Sequence, residues 1–74
     1  MKKRNRDIEK EYTVKQMAAK LRRLAACLEN GKPFKIQIAG ERIYIPTGAK
    51  FDIEHEREGK AEEVEFQFKW QRSQ

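Results

Sequence analysis

Two apolar periods divide this chain, and together they limit what it can fold into. Between residues 14 and 29, Val14, Met17, Ala18, Leu21, Leu24, Ala25 and Leu28 recur at the i, i+3, i+4, i+7 spacing of one helix face. At about 100° per residue they all lie within roughly 60° of Leu21. Thr13 is a good N-cap, and Gln16 three residues later completes a capping box. Asn30-Gly31 supplies a stop, and Pro33 follows it.

Beyond Pro33 the period becomes two. Phe34-Lys35-Ile36-Gln37-Ile38 and Ile43-Tyr44-Ile45 alternate as half-buried strands do. A Gly40-Glu41 loop pairs Ala39 with Arg42, Ile38 with Ile43 and Ile36 with Ile45, which puts the isoleucines of both strands on one face. Pro46 stops the second of these strands by removing a ladder donor, and Thr47-Gly48 makes the turn. Strands over 51–56 and 64–70 follow, joined by a Glu58-Gly59-Lys60 turn. Pairing Phe51 with Phe68, Ile53 with Phe66 and His55 with Val64 collects their large side chains on one face. Residues 7–12 read as a further strand at a sheet edge, with Ile8, Lys10 and Tyr12 on one side. The expected fold is α+β, in the order β-α-β-β-β-β. One amphipathic helix covers one face of a mostly antiparallel five-stranded sheet, with strand order 2-3-4-5-1.

Length makes this fold marginal. At 74 residues the chain is one domain, with residues 7–72 as its body, 1–6 as a disordered basic arm and 73–74 as a frayed tail. A chain of this size buries only about 60 % of its unfolded surface. Cys27 is the single cysteine, so no internal disulfide supports it, and Cys27 with the lone His55 cannot make a four-ligand metal site. The core, or dimerisation, must carry the stability. Met1 and Ile8 are the only apolar side chains in residues 1–11, which excludes the apolar stretch of a signal peptide there. The longest apolar run, Leu24–Leu28, is far short of the roughly 20 residues that span a bilayer. With its free thiol, the chain is expected in the cytoplasm, away from membranes.

The net charge of +5 is mostly the arm. Removing Lys2, Lys3, Arg4 and Arg6 from the 17 Lys and Arg leaves 13 against 12 acids. The domain itself is close to neutral.

These features bring a family into view. Glu11-Tyr12-Thr13 leads into a helix holding Leu21 and Leu24, and Gly31 ends it. Ile43-Tyr44-Ile45-Pro46 and a closing Val64-Glu65-Phe66-Gln67-Phe68-Lys69-Trp70 strand follow. In that order, over about residues 8–71, the chain resembles the amphi-Trp domain proteins of prokaryotes, named for an amphipathic C-terminal strand that ends in tryptophan. The resemblance implies the fold; it implies no activity, cofactor or catalytic residue. Its members are often strongly acidic, and the basic arm and basic helix of this chain depart from that.

Three charged features are candidate contact sites. Lys2, Lys3, Arg4 and Arg6 could neutralise four phosphates, giving a salt slope of about −3.6 on duplex DNA and weak, sequence-independent attachment. Lys15, Lys20, Arg22 and Arg23 surround Ala19 and Ala26 on the outer side of the helix, where cations could meet phosphates or carboxylates. On the outer side of the sheet, Asp52, Glu54, Glu56, Glu63 and Glu65 form an acidic face, with Glu9 and Glu11 added to it. There Glu54 opposes Glu65 and Glu56 opposes Glu63, which costs a few tenths of a kcal/mol per pair. For each feature solvated surface is the default expectation. Trp70 is expected to cap the core, His55 to sit half-buried on the inward face, and Tyr44 to point outward.

Nothing assembles a catalytic centre. The chain has one Ser, one His and one Cys, and its glycines at 31, 40, 48 and 59 all fall in turns. No cofactor is expected. The expectation is a non-catalytic protein-interaction or assembly module with a basic helix side and an acidic sheet side. It would bind a protein partner or self-associate, by head-to-tail stacking or by pairing the Phe34–Ile38 edge across a two-fold axis. The alternative is a weak nucleic-acid-binding protein using the arm and the helix.

Overall fold

The computed structural model describes residues 8–72. The basic arm and residues 73–74 lie outside that range. Helix α1 runs Val14–Glu29, and four strands follow: β1 (Phe34–Ile38), β2 (Glu41–Ile45), β3 (Lys50–Glu58) and β4 (Ala61–Lys69).

The helix has the expected ends. Gln16 N–H donates to Thr13 Oγ1 at 3.1 Å, and Thr13 N–H donates to Gln16 Oε1 at 3.0 Å, closing the capping box. At the other end Gly31, with φ 63°, lets Gly31 N–H reach Leu28 O at 3.3 Å and Lys32 N–H reach Cys27 O at 2.9 Å. These are the paired bonds of a Schellman stop.

The sheet differs from expectation. The strands form two separate two-stranded antiparallel sheets, β1-β2 and β3-β4, in place of one five-stranded sheet in the order 2-3-4-5-1. Residues 8–12 form no strand. With Glu9 and Glu11 on one side and Lys10 on the other, they have no consistently apolar face to hold against a ladder. β2 and β3 do not pair, because the connection at Pro46–Ala49 is a turn closed by Ala49 N–H to Pro46 O at 3.2 Å and not a hairpin loop. Alternation said which faces of these strands are apolar, and it carried no information on whether the two pairs share a ladder.

Within the first hairpin the loop is Ala39-Gly40, one residue earlier than expected. Ile36 pairs with Ile43, Phe34 with Ile45 and Ile38 with Glu41. Ala39 and Gly40 have φ of 49° and 84°, the two positive values a type I′ turn demands. The pairing moves by two residues, so every side chain keeps its face and Phe34 gains a partner. The second hairpin has the expected register throughout, from Phe51↔Phe68 to Glu56↔Glu63. Its strands run further towards the turn, which tightens to Gly59-Lys60. β4 ends at Lys69, and half-buried Trp70 follows it.

The helix docks on β1 by its flank. Arg23 Nη2 donates to Lys35 O at 2.7 Å, and its guanidinium carbon lies 4.9 Å from the centre of the Phe34 ring. Lys20 Nζ stands 4.8 Å over Tyr12, whose hydroxyl donates to Gln37 O at 3.3 Å. Phe34, 4 % exposed, is the only buried apolar side chain among the described residues. Leu24, Cys27, Ile45 and Phe68 gather around it.

Candidate interaction surface

The helix face that contacts β1 centres near Cys27, about 120° from Leu21 at the helical increment of roughly 100° per residue. The apolar stripe therefore meets the β1 side of the chain through Leu24 and Leu28 at its margin. Met17, Leu21 and Leu28 remain 45–49 % exposed, and Val14 87 %. The stripe leans over β3 and β4 without closing on them. Between them lies a cleft of about 270 Å³, lined by Leu21, Leu24, Ala25, Leu28, Phe51, Ile53, Phe66 and Phe68 together with Asp52. On the hairpin side Phe51, Ile53, Val64 and Phe66 are 60–66 % exposed.

All four hairpin side chains project from one face, as period two and the register require. Phe51 and Phe68 pack ring to ring at 5.6 Å with a 46° tilt, a favourable aromatic geometry. Towards the Gly59 turn the same face becomes polar. His55 Nε2 lies 3.0 Å from Glu62 Oε1, and Arg57 Nη2 approaches the same oxygen at 3.4 Å. His55 is exposed there and not half-buried, because no element covers this end of the hairpin. An apolar centre thus ends in a hydrogen-bonded charged rim.

The opposite face of the hairpin is acidic as expected, with Glu54 across from Glu65 and Glu56 across from Glu63. The carboxyl of Glu63 is held above its ordinary value, first by the Glu65 charge, then by a hydrogen bond with Glu56 and that residue's charge, with Glu9 adding to the effect. Asp52 lies 3.8 Å from Lys69 Nζ, and Glu65 accepts from Gln67 Nε2 at 2.9 Å. Among the described residues no group of three or more His, Cys, Asp or Glu side chains is placed to hold a metal ion.

Of the basic helix residues, Lys15, Arg22 and Arg23 are exposed and Lys20 is half-buried. Arg23 also contacts Lys35 O and the Phe34 ring, and Lys20 stands over Tyr12. Lys2, Lys3, Arg4 and Arg6 lie outside the described residues. On the edge of β1 the carbonyls of Lys35 and Gln37 accept from Arg23 and Tyr12. Tyr44 points outward as expected. No helix among the described residues is long and apolar enough to cross a membrane.

The apolar residues of α1 and of the second hairpin lie where their periods place them, on the two sides of the cleft. An amphipathic stripe shows that a helix needs apolar cover; it does not show that its own chain supplies that cover.

No curated protein and no solved structure gives a significant match to the chain. The family model of the Amphi-Trp domain matches residues 1–74, and the chain belongs to that family.

Proposed function

We propose that this chain is a non-catalytic interaction module of the cytoplasm, and that its contact surface is the apolar face shared by α1 and the β3-β4 hairpin. One observation carries the reading: Phe51, Ile53, Val64 and Phe66 stand 60–66 % exposed on a single face, beside an exposed Leu21 and Leu28. Contiguous apolar surface with a polar rim is characteristic of protein contact sites. The His55–Glu62–Arg57 group supplies that rim. The acidic face on the other side of the hairpin keeps the rest of the module soluble and limits stacking there. The free thiol of Cys27 supports a reducing compartment.

Hydroxyl-radical footprinting of the dilute full-length chain tests this. In a folded monomer Met17, Phe51 and Phe66 should oxidise at the rates of exposed side chains, while Phe34 is protected. Protection of Phe51 and Phe66 in a dilute monomer would mean that helix and hairpin close on each other, and the surface would be lost.

The nucleic-acid alternative keeps support from Lys15, Arg22 and the arm of Lys2, Lys3, Arg4 and Arg6. It loses support from Arg23 and Lys20, whose cations are already engaged within the chain. Amide NMR titration with a short DNA duplex and a single-stranded RNA at two salt concentrations separates the two. Salt-sensitive shifts at Lys15, Arg22 and the arm would favour the alternative, and flat spectra at low salt would remove it.

A further inference from the structure

Building on the interaction-module reading, we infer that the occupant of the apolar face is a second copy of this chain. Two copies would pair about a two-fold axis, so that Leu21, Leu28, Phe51, Ile53, Val64 and Phe66 of each complete one shared core.

The missing area has the size of a dimer interface. A compact folded monomer of 8.8 kDa exposes about 4,800 Å², whereas this chain exposes 7109 Å². Taken as unfolded chain, residues 1–7 and 73–74 would account for about 1,700 Å² of this. With the reference scaled to the remaining chain, about 1,100 Å² still stays uncovered beyond a compact monomer. Stable interfaces bury about 800 Å² per partner, and obligate homodimers bury more, with the look of a domain core cut in half.

The fold requires that cover at fixed stoichiometry. A lone two-stranded hairpin is at best marginal in water, and β3-β4 has neither a third strand nor a helix closed over it. Among the described residues Phe34 is the one buried side chain, so the monomer lacks a core of ordinary size. A partner made separately would leave the chain without a core until they met, while a second copy is present whenever the chain is.

Charge permits the pairing and directs it to this face. From Asp7 onward the 13 basic and 12 acidic residues nearly cancel, so the domain bodies repel each other little, and the excess charge of the chain sits in Lys2, Lys3, Arg4 and Arg6. The acidic row of Glu54, Glu56, Glu63 and Glu65 projects from the other side of the hairpin and faces away from the axis. The capped carbonyls of the β1 edge disfavour the competing route of strand addition.

Sedimentation equilibrium and thermal unfolding of the full-length chain, each over a 100-fold concentration range, test the inference. The expected result is a mass of twice the 8.8 kDa chain and a Tm that rises by roughly 10 °C across the series, as mass action requires of a dimer that unfolds to monomers. Phe66→Glu should abolish the double mass, whether its chains fold or not, and Glu54→Lys on the opposite face should leave it intact. A folded 8.8 kDa species with a Tm independent of concentration would overturn the inference, as would a defined mass above two chains. If that monomer shows Phe51 and Phe66 open to radical oxidation, the interaction surface stands and another protein occupies it. If it shows them protected, both readings fall.

Discussion

Phe34→Ala is the substitution that most directly tests how this chain is held together. Phe34 is 4 % exposed, lies opposite Ile45 and carries the Arg23 guanidinium 4.9 Å from its ring centre. Truncating a buried Phe costs about 3–5 kcal/mol, through lost transfer energy and the cavity left behind. The cation–π contact adds about 0.5–1 kcal/mol at a site with this exposure. At about 0.05–0.15 kcal/mol per residue, a chain of this length has a stability of roughly 4–11 kcal/mol. The substitution should therefore remove a third of the stability at the least, and could unfold the chain. Urea unfolding followed by far-UV circular dichroism, at one fixed protein concentration, reads the loss. Phe66→Ala is the contrast. Its side chain is 65 % exposed within the single chain, so it should cost about 1 kcal/mol wherever nothing else covers it. A Phe34→Ala chain within about 1 kcal/mol of the parent would refute the placement of Phe34 at the centre of the fold.

Three further outcomes are expected. Ala39→Asn should raise stability by about 1 kcal/mol in thermal unfolding, because Ala39 holds φ 49° in a turn that favours Asn-Gly; an unchanged or lowered Tm would argue against that turn. Thr13→Ala should cost about 1 kcal/mol and reduce helical ellipticity by opening the capping box, while Thr13→Ser should be near neutral. Glu63 has its proton affinity raised in the folded chain, so its contribution favours folding below the ordinary value of 4.5 and is lost as pH rises through the higher folded value. Glu63→Gln should accordingly raise Tm at pH 7 and leave it nearly unchanged near pH 4, and equal effects at the two pH values would exclude repulsion from Glu65 and Glu56 as the cause.

The elements were legible because their causes are local. Thr13 and Gln16 cap the helix through groups three residues apart, and Gly31 ends it by its own φ. In β3-β4 period two puts Phe51, Ile53, Val64, Phe66 and Phe68 on one face, the turn at Gly59 pairs Phe51 with Phe68, and the structure has that register. The first hairpin was nearly as readable. A shift of two residues leaves the faces unchanged, so alternation could not separate a Gly40-Glu41 loop from Ala39-Gly40. That choice rests on which two residues can both hold positive φ.

What the chain order determined alone, then, is where α1 and the four strands lie, which face of each is apolar, and the segregation of Glu54, Glu56, Glu63 and Glu65 from Phe51, Ile53, Val64 and Phe66. Tertiary structure decided how those faces meet. The sheet divides at Pro46–Ala49, the helix rotates to seat Arg23 and Cys27 towards β1, and the apolar stripe is left open opposite the second hairpin. The physical reason is one of direction. Hydrophobic burial is non-directional, so a pattern of apolar residues specifies that a face must be covered and not by what. The Arg23 bond to Lys35 O and the Tyr12 bond to Gln37 O are directional and long-range, and they fix the helix on its flank.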